Sequence, residues 1–309
     1  MTISIVIGIV KNEVGEVFIT RRHNNLHQGG FWEFAGGKVE KYETLKQALV
    51  RELKEEINID VLDSIPLIQL THRYEERTVT LNVFEIIRYS GEPKSLLKQE
   101  SQWVKISDLE NFVFPAANKA ILTALRLPKF YAILNDNGDD LLARLQHLLN
   151  QGITLIQARL KNSSEKEVLE FLDIAYSICK EKGALLLVNS GTFNAIEMLS
   201  DGIHLTSNDL LTWNLRPENI KWLGASCHNL EELEHAQKIG VDFMLLSPVL
   251  KTQTHLETMP MGWKTFERLV KGCNVPVYAL GGLQKTDLEK GCLLGAQGIC
   301  GIRTFFSDY

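Results

Sequence analysis

Gly37-Lys-Val-Glu-Lys-Tyr-Glu43, followed after seven residues by Arg51-Glu52-Leu53-Lys54-Glu55-Glu56-Ile57-Asn58-Ile59, carries the densest chemical pattern in the chain. Leu45, Ala48, Leu49 and Leu53 recur at helical spacing, which predicts a helix over about residues 44–57 with those side chains toward a core. Glu52, Glu55 and Glu56 stand at i, i+3 and i+4 and share the other face. Three carboxylates so placed repel one another, in the half of the helix where the macrodipole also disfavours negative charge. Either this is a plain solvated face, or a hard divalent cation offsets the repulsion. Mg²⁺ suits that role, because it takes oxygen ligands and is commonly shared between a few carboxylates and substrate phosphates.

Around this helix, apolar strands alternate with polar turns. The strand-like runs are Ile3–Val10, Val17–Thr20, Ile65–Thr71 and Thr78–Ile87. A second helix is expected from near Pro115 through Ile121, Leu122 and Leu125, ending before Pro128. Strands surrounding few helices predict an α+β sandwich. The apolar start, Met1 to Val10, lacks a basic leader and is broken by Lys11 and Asn12, so it reads as a core strand and not a signal peptide.

After Pro128 the texture changes to strict alternation of strand and helix. Eight strand-like runs follow: Phe130–Leu134, Ile153–Gln157, Ala184–Asn189, Gly202–Leu205, Trp222–Ser226, Asp242–Leu246, Val275–Leu280 and Gly298–Ile302. Helical segments lie between them, such as 164–181, 229–238 and 284–293. Eight β–α units predict a compact α/β TIM barrel, with a doubly wound open sheet as the alternative. The expected domains are therefore 1–127 and 128–309. No Pro-, Gly- or Ser-rich linker divides them, which predicts little freedom between them.

Composition narrows the function. The 309 residues are 45% hydrophobic and 23% charged, with no run of about 18 apolar residues, so no membrane span is expected. A net charge of −5 makes no case for nucleic-acid binding. Five cysteines, none in a C-x-x-C pair, exclude a zinc or redox motif, and the odd count points to a reducing cytoplasm. Oligomeric state is not legible.

The opening segment resembles the Nudix box, G-x5-E-x7-R-E-U-x-E-E-x-G-U with U aliphatic. Every specified position matches except that Asn58 replaces the last glycine, and Asn is the next best residue for a left-handed helix end. The resemblance implies Mg²⁺, or Mn²⁺, bound by Glu52, Glu55, Glu56 and the Gly36 carbonyl. Glu52 would help deprotonate the attacking water, while Arg51 and Glu43 pair to support the site. Over about residues 1–127 the resemblance tightens toward the MutT, or 8-oxo-dGTP diphosphatase, type. It rests on Phe18-Ile-Thr-Arg-Arg22, Trp32-Glu-Phe-Ala-Gly-Gly-Lys38, Arg77-Thr-Val-Thr-Leu81, Gly91-Glu-Pro93, Trp103 and Phe114-Pro-Ala-Ala-Asn118. By this resemblance Asn118 reads the oxidised guanine edge, Phe34 lines the base pocket, Arg77 covers the base and Arg22 meets the phosphates. Taken singly, Asn118 reads equally as a helix cap and Phe34 as core. Two departures stand out. Ala35 replaces the usual proline, and the extra acidic metal ligand expected before Trp103 falls on Leu97, with Glu100 three residues later.

Residues 129–309 resemble the thiamin phosphate synthase/TenI family of phosphate-binding TIM barrels. The matching pieces are Thr154-Leu-Ile-Gln-Ala-Arg159, Leu187-Val-Asn189, Asp201-Gly-Ile-His-Leu205, Ser226-Cys-His228, Ser247-Pro-Val249, Thr252-Gln-Thr254 and Ala279-Leu-Gly-Gly282. The resemblance implies a ligand site of Gln157, Arg159, Asn189, Asp209, Ser226, His228, Thr252, Thr254, Gly281, Gly282 and Arg303, holding a phosphorylated small molecule. Ser190 stands where the family has aspartate, His255 where it has lysine, and Arg303 where it has serine. These changes remove one Mg²⁺ ligand and weaken pyrophosphate binding. Three functional readings follow: a MutT-like hydrolase of 8-oxo-dGTP, a hydrolase of a thiamin-pathway pyrophosphate, and a hydrolase regulated by a non-catalytic ligand-sensing barrel.

Overall fold

The structure, a computed structural model, describes residues 2–25, 28–73, 78–136, 140–192, 199–252 and 259–306. It divides into two compact units, Met1–Arg126 and Leu127–Tyr309.

In the first unit, strands β1 (Thr2–Val10), β4 (Gly36–Lys38), β5 (Asp60–Arg73) and β6 (Thr78–Ser90) form a sheet in the order β4-β1-β6-β5. A second sheet, in the order β3-β2-β7, joins β2 (Val17–Arg21), β3 (Trp32–Glu33) and β7 (Ser101–Val104). β1 is apolar from Ile5 to Val10 because both of its faces are covered there. Ile7 and Ile9 enter one buried cluster, while Val6 and Val10 enter the other. The second of these clusters packs against α1 (Leu45–Ile57), through Ala48, Leu49, Leu53 and Ile57. The first packs against α2 (Lys119–Arg126), through Ile121 and Ala124. Leu45 was expected in the core but is 36% exposed. It opens the helix beside the N-cap Thr44, outside the stripe that meets the sheet, and Ile57 takes the fourth core position.

Both ends of α1 are specified locally. The Thr44 side chain accepts from the Gln47 N–H while Gln47 returns a bond to the Thr44 N–H, a closed capping box. At the other end Asn58 adopts φ 61°, ψ 32° and its N–H bonds the Leu53 and Lys54 carbonyls.

The second unit is a closed barrel of eight parallel strands, in the order β10-β11-β12-β13-β14-β15-β8-β9. They are β8 (Phe130–Asn135), β9 (Leu155–Arg159), β10 (Leu185–Asn189), β11 (Gly202–Leu205), β12 (Trp222–Cys227), β13 (Phe243–Leu246), β14 (Val277–Leu280) and β15 (Gly298–Gly301). Each of the eight runs read from sequence becomes a strand. The second begins two residues late, at Leu155, which carries its C-terminal end to Arg159. Tyr131, Phe243, Tyr278 and Leu245 fill the barrel interior, so it is a packed core and not a pore. The outer layer includes α3 (Leu141–Asn150), α4 (Glu165–Glu181), α5 (Ser207–Thr212), α6 (Leu230–Ile239), α7 (Gly262–Val270) and α8 (Leu288–Leu293). Leu127 packs with the barrel interior residues, and its carbonyl accepts from Gln297 Nε2 at 2.9 Å. Among the described residues, no helix is long and apolar enough to cross a membrane.

A left-handed backbone costs an ordinary L-residue about 1–2 kcal/mol, a cost that Gly escapes and Asn partly escapes. Asn58→Ala is therefore expected to destabilise the first unit by about 1 kcal/mol, and Asn58→Gly to leave it unchanged or more stable. Denaturant midpoints of the two variants check this.

Candidate functional site

The short strand β4 that carries Gly36 and Gly37 pairs antiparallel with β1, with Val6 opposite Gly37. Gly36 has no room for a side chain, and a side chain on Gly37 would displace the Glu52 carboxylate. A Cβ on Gly36 would lie 2.1 Å from the Val6 carbonyl oxygen, and one on Gly37 would lie 2.3 Å from the Glu52 carboxylate. The β4 backbone therefore lies directly on the acidic face of α1. The Gly36 N–H donates to Glu56 Oε2 at 2.9 Å.

Arg51 braces this contact. Its Nε and NH2 donate to the two oxygens of Glu43 at 2.7 and 2.9 Å. NH2 also donates to the Lys38 carbonyl at 3.1 Å, and NH1 reaches Glu52 at 2.9 Å and Glu55 at 3.2 Å. The guanidinium hydrogen bonds hold the Glu43 carboxyl down at about 2, and the same bonds push Arg51 upward. Glu56 moves the other way, up to about 7. Burial is the main cause, aided by the anions of Glu33 and Glu52 and opposed by the Gly36 N–H and Arg22.

The expected substrate residues divide. Phe34 is buried and stacks on Phe114 with ring centroids 5.3 Å apart. Asn118 ends a short 3-10 turn (Ala116–Asn118) and is only 7% exposed. Its backbone N–H bonds Pro115, while its side-chain amide makes no hydrogen bond among the described residues, so it caps nothing. Arg22 NH1 pairs with Glu33 at 2.9 Å, and Gln99 also donates to Glu33 at 3.3 Å. Glu100 is engaged with Arg21 at 3.1 Å, and Leu97 is half exposed, its carbonyl bonded to His23. Arg77 lies outside the described residues.

In the barrel, the expected residues gather at the C-terminal ends of the strands. A cavity of about 400 Å³ is lined by Gln157, Arg159, Asn189, Ser226, His228, Thr252 and Gly281. A neighbouring one of about 490 Å³ is lined by Thr252, Gly281, Gly282 and Arg303. Thr254 and His255 lie outside the described residues. Gly281 (φ 107°) and Gly282 (φ 66°) need their glycine. A Cβ on the first would lie 2.8 Å from Pro248, and one on the second 2.3 Å from the Lys251 carbonyl oxygen. Asp209 does not line either cavity. Its carboxylate accepts from the Ser190 hydroxyl and, at 2.7 Å, from Thr206 Oγ. Lys161, Ser207, Asn208 and Ser247 also line the first cavity and were not foreseen. Lys161 had a visible signal, a second cation two residues after Arg159 at the end of a strand.

A thiamine monophosphate synthase family model matches residues 130–305, and a NUDIX domain model matches residues 6–124. A putative thiamine-phosphate synthase 2 of Aquifex aeolicus is 34% identical over 59% of this chain and 99% of its own length. The 8-oxo-dGTP diphosphatase of Escherichia coli is 36% identical over 40% of this chain and 96% of its own. A MutT structure, from work on Aliivibrio salmonicida and Vibrio cholerae, is 39% identical over 40% of this chain and 97% of that one, with a TM-score of 0.37. The chain joins a Nudix hydrolase domain to a barrel of the thiamine monophosphate synthase family.

The Nudix donor set fits a hard divalent cation. It is all oxygen, and the carboxylates of Glu52 and Glu56 both meet the Gly36–Gly37 backbone. Burial, and then the anions of Glu33 and Glu52, raise Glu56, and a cation would offset both. Among the described residues no three such side chains already converge, since Arg51 draws Glu52 and Glu55 to itself.

The interior of the synthase-family barrel carries a polar relay. Asn189 Nδ2 donates to Gln157 Oε1 at 2.9 Å, and Gln157 Nε2 donates to the Tyr131 hydroxyl at 2.7 Å. Tyr131 lies 2.9 Å from His204 Nδ1, and His204 Nε2 lies 2.9 Å from Ser226 Oγ. A consistent proton assignment has Tyr131 donating to Nδ1 and Nε2–H donating to Ser226, with His204 neutral. Burial holds the His204 imidazole down at about 3, against 6.5 in an exposed histidine. Between those values the unfolded chain binds the proton and the folded chain does not. His204 is thus neutral at no penalty above pH 6.5, and stability falls as pH drops from 6.5 toward about 3. A His204→Gln variant is expected to lose about one proton, or about 1.4 kcal/mol per pH unit, of that slope. Denaturation midpoints measured across this window check it.

Proposed function

We propose that the Nudix domain cleaves a purine nucleoside triphosphate to the monophosphate and pyrophosphate, with 8-oxo-dGTP the preferred substrate. The observation that carries this reading is Asn118. The residue is nearly buried, its amide forms no hydrogen bond among the described residues, and it belongs to the segment whose Phe114 stacks on Phe34. An amide donates and accepts at once, which suits a purine altered at N7 and C8. The E. coli relative that bears the name 8-oxo-dGTP diphosphatase supports the same substrate.

In this reading water attacks phosphorus, and the pyrophosphate bond breaks with its electrons passing to the leaving oxygen. Glu52 takes the proton from the water. Mg²⁺ or Mn²⁺, held by Glu52, Glu55, Glu56 and the Gly36 carbonyl, would lower the water pKa and screen the phosphate charge. Arg51 keeps Glu52 and Glu55 on one side of the loop, and Arg22 gives its charge to the phosphates once it leaves Glu33. Glu100 would join only by leaving Arg21.

The barrel holds a phosphorylated small molecule at Gly281, Gly282 and Arg303 but makes little thiamin phosphate. Ser190 brings no anion to the site, and its hydroxyl and that of Thr206 occupy the Asp209 carboxylate. The fusion itself favours a second reading, in which the Nudix domain acts on a thiamin-pathway pyrophosphate.

Steady-state hydrolysis of 8-oxo-dGTP, dGTP and aminopyrimidine pyrophosphate separates the two. The expected result is a lower KM for 8-oxo-dGTP than for dGTP, with Asn118→Ala removing about 0.5–1.5 kcal/mol of that preference. Equal kcat/KM for both nucleotides, with faster turnover of aminopyrimidine pyrophosphate, would lift the second reading instead. Glu52→Gln is expected to slow hydrolysis by about 10²-fold or more while the fold survives. For the barrel, that variant is incubated with aminopyrimidine pyrophosphate, thiazole phosphate and Mg²⁺. Little or no thiamin phosphate is expected, and formation at the rate of an authentic synthase would refute this assignment.

A further inference from the structure

His72 stands near the end of β5, where its Nε2 is buried and meets no hydrogen-bond partner among the described residues. A buried polar atom is nearly always paired, so one that is not calls for a reason. The barrel histidines show the ordinary case. Both ring nitrogens of His204 are bonded, and His235 Nε2 lies 2.9 Å from the Trp213 carbonyl.

The sheet register says where His72 looks. It lies two residues beyond Leu70, opposite Val79, while Leu70 is opposite Leu81. Alternate residues of a strand share a face, so His72 is on the face of Leu70 and Leu81. That face belongs to the buried cluster in which Leu70 and Leu81 pack with Phe34 and Ile121, and against which Val79, Phe114 and Ala117 lie. Asn118 follows Ala117 directly, and its amide too makes no hydrogen bond among the described residues.

We propose that His72 is a specificity-determining residue of the Nudix domain, its Nε2 hydrogen-bonding a polar edge atom of the purine base from the sheet side as Asn118 does from the helix side. The inference rests on the nucleotide reading of this domain. A neutral imidazole nitrogen donates in one tautomer and accepts in the other, so His72 can match either kind of edge atom. It also explains why an otherwise apolar face carries one polar ring. Bound base completes the bond that the protein leaves open.

The test uses the full chain and compares His72→Phe, which keeps the ring and removes the polar atom, with His72→Gln, which keeps a polar atom at similar reach. KM and kcat are measured for 8-oxo-dGTP, dGTP and dATP, with the melting temperature of each variant alongside. His72→Phe is expected to raise KM for the preferred purine by about 5- to 10-fold, mostly in KM and not kcat, and to flatten the preference among bases. His72→Gln is expected to recover most of that loss. A selective wild type whose KM values and base preference are the same in His72→Phe would overturn the inference and leave the nucleotide reading standing. A wild type that treats 8-oxo-dGTP and dGTP alike, while His72→Phe raises KM for both, would overturn the oxidised-base reading and uphold His72. Equal losses in both variants, tracking a fall in melting temperature, would make His72 a packing residue and overturn the inference. A wild type that hydrolyses no purine nucleotide overturns both.

Discussion

The Nudix domain depends on one guanidinium. Arg51 grips both oxygens of Glu43, the carbonyl of Lys38 and the carboxylates of Glu52 and Glu55. A planar fork with five donors is the side chain that can do this, and lysine could not replace it. Without the grip, the loop at residues 38–43 would lose its tie to α1, and the carboxylates would repel one another freely. The two glycines complete the arrangement by letting backbone come where a methyl group would strike Glu52 or β1. Loop and helix are thus tied together, and the acidic face stands on a regular helix, not on a loop.

The barrel solves a different problem with the same logic. Polar side chains line the cavity at the C-terminal ends of its strands, yet they border a packed aromatic interior. They are therefore bonded in series, from Asn189 through Gln157, Tyr131 and His204 to Ser226. Each member satisfies the next, which holds Asn189, Gln157 and Ser226 in fixed rotamers around the 400 Å³ cavity. Asp209 is satisfied differently, by Ser190 and by the hydroxyl that caps α5. Its carboxylate thereby fastens the turn after β10 to α5.

Much of this was legible before any coordinates. The helix over about residues 44–57, the left-handed Asn58 at its end and the strand at Ile3–Val10 are local matters, set by residues within a few positions of one another. The eight barrel strands showed themselves as short apolar runs between helical periods. What escaped was short or contact-dependent. β3, β4 and β7 span two to four residues, too few to carry a period. Leu45 fits the helical stripe by spacing but falls outside it, because the sheet covers α1 only from Ala48 onward.

The sequence by itself determined the two folds, the acidic helix face and the residue types at the strand ends, because each follows from periodicity, capping and turn chemistry within a short stretch. Only the tertiary structure decided which partner each polar group takes. It bonds Glu56 to Gly36 and raises it by burial, engages Glu100 with Arg21, brings Lys161 into the barrel cavity and leaves His72 Nε2 without a partner among the described residues. The physical reason is the same in each case. Burial and hydrogen bonding are properties of pairs brought together from distant parts of the chain, and a side chain's chemical type does not disclose the neighbour it will meet.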